Sequence, residues 1–131
     1  MGCDNSYRET NFDIKEKITM DFVELNKRIM RAFKSKLNSK GQGDTIAEIC
    51  EPGIAYSLMV MERVAKYYEV TDDDENRRAK NIYFRTRRIL TDKLNGSKKI
   101  NIIRDKRVNG IKYALSVMRA QREYLFIRIE K

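Results

Sequence analysis

Histidine is absent from the sequence. That removes the side chain that most often serves as a general base near neutral pH, the commonest metal ligand, and the base of Ser–His and Cys–His nucleophile pairs. Proline occurs once and glycine six times in 131 residues. Breakers are therefore scarce, which favours long helices over a many-stranded sheet. The two cysteines, Cys3 and Cys50, have no metal-ligand spacing. They read as thiols of a reducing, cytoplasmic compartment.

Long apolar runs are also missing. A bilayer span needs about 18 apolar residues, and the longest run here, residues 54–61, contains Ser57. No secretory signal opens the chain. A membrane enters only through Met1-Gly2-Cys3-Asp4-Asn5-Ser6. That stretch fits the myristoylation pattern at Gly2, with Cys3 placed for palmitoylation, and matters only in a eukaryotic cell or a virus that infects one. Elsewhere it is the start of a polar, flexible tail over residues 1–10.

What the sequence does have is charge. Charged residues make up 36% and apolar residues 41%, too apolar a mixture for disorder and enough for the core of one domain over 1–131. The net charge is +9, and it is not spread evenly. Residues 77–107 hold twelve basic side chains against Asp92 and Asp105, while the other hundred residues hold 16 basic and 17 acidic ones. A solvated helix face usually alternates signs, so a one-sign block points to a polyanionic partner that relieves its self-repulsion. The candidate nucleic-acid-binding residues are Arg77, Arg78, Lys80, Arg85, Arg87, Arg88, Lys98, Lys99, Arg104, Lys106 and Arg107. Arginine suits the task, because its planar fork donates two parallel hydrogen bonds to a phosphate or a guanine edge.

The spacing predicts a long helix over 11–38, with Ile14, Ile18, Phe22, Leu25, Ile29 and Phe33 on one face. It serves either as an ordinary core helix or as a dimerisation element. A loop follows at 38–43. Thr45 and Glu48 then have capping-box spacing, and Pro52-Gly53 breaks or kinks the helix after Cys50. The next helix covers about 53–69, with Leu58, Met61, Val64, Ala65 and Tyr68 inward. Thr71 caps another, whose first-turn carboxylates suit the positive end of its dipole. A carboxylate metal nuclease using Asp72, Asp74 or Glu75 is the one enzyme that can be constructed. The expectation is no enzyme, no metal and no cofactor.

From Arg77 to Leu94 the apolar positions keep a three/four spacing, and Asn95-Gly96 ends that helix with a left-handed turn at Gly96. Beyond it, Ile111, Tyr113, Leu115 and Val117 alternate with Lys112, Ala114 and Ser116. A period of two marks a half-buried strand. Ile100 and Ile102 supply a shorter partner, and Gly110 in mid-helix would cost about 1 kcal/mol relative to Ala. A β-hairpin over 98–117 is therefore favoured over a helix. Residues 118–131 read as a closing helix.

Taken together, residues 71–117 resemble a winged helix-turn-helix of the MarR/ArsR regulator kind. The resemblance rests on the helix Phe84-Arg85-Thr86-Arg87-Arg88-Ile89-Leu90-Thr91-Asp92-Lys93-Leu94, the link Asn95-Gly96 and the strand Gly110-Ile111-Lys112-Tyr113-Ala114-Leu115. It implies a mostly α fold with a small β-hairpin wing and a winged-helix core over 44–117. Helix 82–94 would enter the major groove, and the wing tip at Arg104–Arg107 would touch phosphate or the minor groove. The function so implied is that of a dimeric, sequence-specific regulator of transcription bound to double-stranded DNA. The alternative fold is an all-α helical bundle. Its function would be that of a small phage or viral interaction protein, or of an RNA-binding subunit of a nucleic-acid-processing complex.

Overall fold

The computed structural model describes residues 20–70, 73–99 and 106–130, with side chains for all of these except 70, 97–99 and 127–130. They form four helices: α1 (Phe22–Asn38), α2 (Thr45–Tyr67, followed by a 3₁₀ turn Tyr68–Val70), α3 (Glu75–Lys99) and α4 (Val108–Glu130). Every helix packs on the other three, and the α2–α4 interface is the most extensive. The fold is the all-α bundle.

Each start has a local cause. Asp21 caps α1 by accepting from Glu24 N at 3.0 Å. Gly41 and Gly43, at φ 83° and 85°, take the left-handed backbone that the α1–α2 turn needs. Asp44, rather than Thr45, caps α2 by accepting from Ala47 N at 3.0 Å. Asp74 caps α3, accepting from Arg77 N at 3.0 Å. The expected cap Thr71, together with Asp72, lies outside the described residues, as do Cys3, Ile14, Ile18 and the Gly2 motif.

The α1 stripe behaves as an ordinary core face. Phe22, Leu25, Ile29 and Phe33 are buried within the same chain, among Ile54, Met61, Tyr83, Leu90, Ile111 and Met118. The described part of that stripe is taken up inside the chain.

Three expectations are overturned. Pro52 does not divide α2, which runs unbroken past it. Proline removes one bond, that to the carbonyl of Glu48, and Glu48 lies on the solvent side where water can replace the lost donor. Gly96 does not end α3. The helix continues to Lys99, and a methyl group at Gly96 would meet no atom within 4 Å.

The third correction decides the fold. There is no strand among the described residues, and Val108–Glu130 is one helix where a wing strand was expected. Helix α3 also runs from Glu75 without the turn that a recognition helix requires. The winged helix is therefore excluded. The alternation at 111–117 was misleading, because the buried positions are Gly110, Ile111, Ala114, Met118 and Leu125, a helical series. Tyr113, Leu115 and Val117 are merely half-buried flanks. Gly110 is helical for a reason that lies on another element: it meets Gly53 where α4 crosses α2. A methyl group at Gly53 would collide with the carbonyl of Arg107, with Cα of Gly110 and with the amide nitrogen of Ile111 at 2.6 Å. One at Gly110 would strike the carbonyl of Cys50, Cα of Gly53 and the amide nitrogen of Ile54 at 2.6 Å.

Thr86 faces the core from α3, fully buried, and its hydroxyl has no hydrogen-bond partner. An orphaned buried polar atom costs about 1–3 kcal/mol. Thr86→Val keeps the branched shape and removes that atom. It is expected to raise stability by about 1 kcal/mol, read as a higher urea midpoint. A lower midpoint would mean that the hydroxyl is satisfied.

The α1–α2 junction is held electrostatically. Lys36 Nζ lies 2.9 Å from Asp44 Oδ2, and the Ser39 hydroxyl donates to the same oxygen at 2.9 Å. These donors, the Lys36 hydrogen bond first and then the Ala47 amide, lower the Asp44 carboxyl from 3.8 to about 2. A carboxyl lowered on folding adds stability that is complete above its unfolded value and disappears as pH falls through the folded one. The melting temperature should therefore drop between pH 3.8 and about 2. Asp44→Asn keeps the cap but not the charge, and should flatten that drop.

Candidate nucleic-acid interface

Helix α3 buries Ala79, Tyr83, Thr86 and Leu90. With about 100° between successive residues, the opposite face is fixed. Arg77, Asn81 and Arg88 lie along its middle, Arg78 and Arg85 on one flank, Lys80 and Arg87 on the other. All are exposed except Arg78, which is half-buried. The row from Arg77 to Arg88 is about 16 Å long. Asp92, exposed on the next turn, is the one carboxylate between Arg77 and Lys99.

Four of the charges on this face meet no described carboxylate. The ion pairs at Arg28–Glu24, Arg31–Glu24, Lys36–Asp44 and Lys40–Glu51 all involve α1, the α1–α2 turn and α2. Lys80, Arg85, Arg87 and Arg88 pair with no described carboxylate.

The remaining candidates divide. Lys98 and Lys99 end α3, but their side chains are outside the described set. Arg104 lies outside the described residues altogether. Lys106 and Arg107 form the turn into α4, not a wing tip. Lys106 is exposed, and the Arg107 guanidinium rests on α2, 5.2 Å from the Tyr56 ring centre. Six of the eleven candidates thus share one described surface.

One functional candidate escaped the sequence reading. Arg122 of α4 lies outside the basic segment, yet its guanidinium sits 5.1 Å from the Phe84 ring centre and 5.8 Å from that of Tyr83. Arg87 approaches the same Phe84 ring at 6.0 Å. The adjacent aromatics Tyr83-Phe84 within a basic helix were the available signal. Tyr83 is buried, and its hydroxyl donates to the Met118 carbonyl at 3.3 Å. Burial raises its pKa, while the charges of Arg122 and Arg87 pull the other way.

Other chemistry is thinly represented. No group of three or more Cys, Asp or Glu side chains that could hold a metal occurs among the described residues. Asp74, offered for a nuclease, commits its carboxylate to the α3 cap. Cys50 is a free, buried thiol whose pKa burial raises. No helix among the described residues is long and apolar enough to cross a membrane. Comparison with known protein families, with curated proteins and with solved structures finds no match.

Proposed function

We propose that this protein is a nucleic-acid-binding module, not an enzyme, that grips the phosphate backbone of duplex DNA through the outer face of α3. One observation carries the reading. Six basic side chains occupy the solvent half of a single helix, opposite its buried stripe, and four of them pair with no described carboxylate. Such a face stores self-repulsion that phosphates relieve with release of counterions. The setting is a reducing intracellular compartment, where a thiol such as Cys50 stays free.

Anisotropy titrations with duplex DNA, single strands and duplex RNA test this at two salt concentrations. About six phosphate contacts give a slope near −5 in log affinity against log salt, hence a roughly 1,000-fold loss between 50 and 200 mM. The duplex should bind tightest. No duplex binding at about 50 mM salt, or binding indifferent to salt, overturns the reading.

A second reading, a small all-helical protein that docks on a nucleic-acid-processing complex, draws support from one feature. Ile46 and Ile49, one turn apart on α2, are 55% and 54% exposed. Salt-indifferent behaviour in the same titrations would favour it.

A further inference from the structure

We propose that Arg87 and Arg122 form a two-pronged phosphate site across the α3–α4 seam, with the Phe84 ring as its floor. The inference rests on the nucleic-acid reading and extends the contact surface from one helix to two.

The floor is rigid. Phe84 is half-buried and wedged between Tyr83, edge-on at 5.0 Å, and Phe22 of α1, tilted at 5.9 Å. Tyr83 is itself fixed to α4 through the Met118 carbonyl. The two guanidinium groups approach this ring at 6.0 and 5.1 Å, so they lie no more than about 11 Å apart. Both also act on the Tyr83 phenol, which places them around one point of the seam.

Two like charges thus border one ring. The negative face of an aromatic ring attracts each cation, but a ring carries no net charge and leaves both positive. Neither arginine pairs with a described carboxylate. An anion with several acceptor oxygens completes the arrangement, because each planar fork can donate a pair of hydrogen bonds to it. A phosphodiester fits, and so does free inorganic phosphate. The backbone source is favoured because Arg87 belongs at once to the seam and to the α3 face, next to Arg88. A strand lying along α3 would carry a phosphate over the ring.

The test compares wild type with Arg122→Ala, Arg122→Lys, Arg85→Ala and Arg63→Ala in duplex titrations across a salt series. A thermal melt of each variant and added inorganic phosphate at fixed ionic strength complete it. Arg63 is exposed on α2 and serves as a matched loss of one charge. Arg122→Ala should weaken binding roughly tenfold and reduce the salt slope by about one, as loss of a phosphate contact does. Arg122→Lys should keep the slope while losing about threefold in affinity, since a point charge replaces a fork. Arg63→Ala should change affinity less than about twofold. Inorganic phosphate should compete more strongly against wild type than against Arg122→Ala.

If Arg122→Ala keeps wild-type affinity and slope while Arg85→Ala weakens binding, the seam site is wrong and the α3 reading stands. The seam site is equally wrong if Arg122→Ala only lowers the melting temperature. Should Arg122→Ala fail to fold, Arg122→Lys decides: unchanged affinity overturns the site. If wild type binds no duplex at all, the underlying reading fails and takes the site with it.

Discussion

Alanine at Gly53 is expected to destabilise the protein by about 3 kcal/mol or more, a fall in melting temperature on the order of 10 °C. The usual sign is the reverse, since alanine in a helix is favoured over glycine by up to about 1 kcal/mol. Here the added methyl group would meet backbone atoms of α4, including Cα of Gly110 and the amide nitrogen of Ile111. A backbone cannot turn aside as a side chain can, so the helices must separate. Separation would loosen the contacts of Ile54 and Ile111, both fully buried beside the crossing. Gly110→Ala should do the same. Gly96→Ala is the internal control, because that glycine lies in α3 with open space where a methyl group would go. It should stabilise by up to about 1 kcal/mol. Urea unfolding of the three variants checks both signs, and a Gly53→Ala protein as stable as wild type would sink the account of the crossing.

Replacing Arg85, Arg87 and Arg88 together with alanine should raise the duplex dissociation constant on the order of 100-fold near 0.1 M salt, taking about 1 kcal/mol per lost contact. The salt slope should shrink by nearly three. All three side chains are exposed, none has a described carboxylate partner, and the described ring contact among them is Arg87 at 6.0 Å from the Phe84 centre, so little folded-state structure depends on them. Alanine is the better helix former, and the substitution removes like charges crowded within one turn. The melting temperature should therefore hold or rise while binding collapses. Unchanged affinity in a folded triple variant would remove α3 from the interface.

How much of this could be read in the sequence differs by element. The α1 stripe was legible, because Leu25, Ile29 and Phe33 are apolar, helically spaced and fully buried. The α3 stripe was legible at Ala79, Tyr83 and Leu90 but not at Thr86, whose polar side chain does not enter an apolar pattern. The exposure of Arg77, Arg85 and Arg88 followed from the same helical period. Pro52 and Gly110 misled for a shared reason. Both were weighed as local breakers, whereas the environment that tolerates them is tertiary: solvent beside Glu48 in one case, Gly53 in the other. Arg122 was missed because the sequence signals only the aromatic side of the seam, Tyr83-Phe84, and not which residue of α4 packs against it.

The uneven placement of cations has a kinetic side. With Arg85, Arg87 and Arg88 along one edge and Asp92 the one carboxylate between Arg77 and Lys99, the field around the protein is lopsided. An approaching polyanion would feel a torque as well as a pull once within about a Debye length, near 10 Å at 0.1 M salt. Encounters would then arrive pre-aligned, α3 foremost. Added electrolyte would slow capture by shortening the range over which that alignment acts.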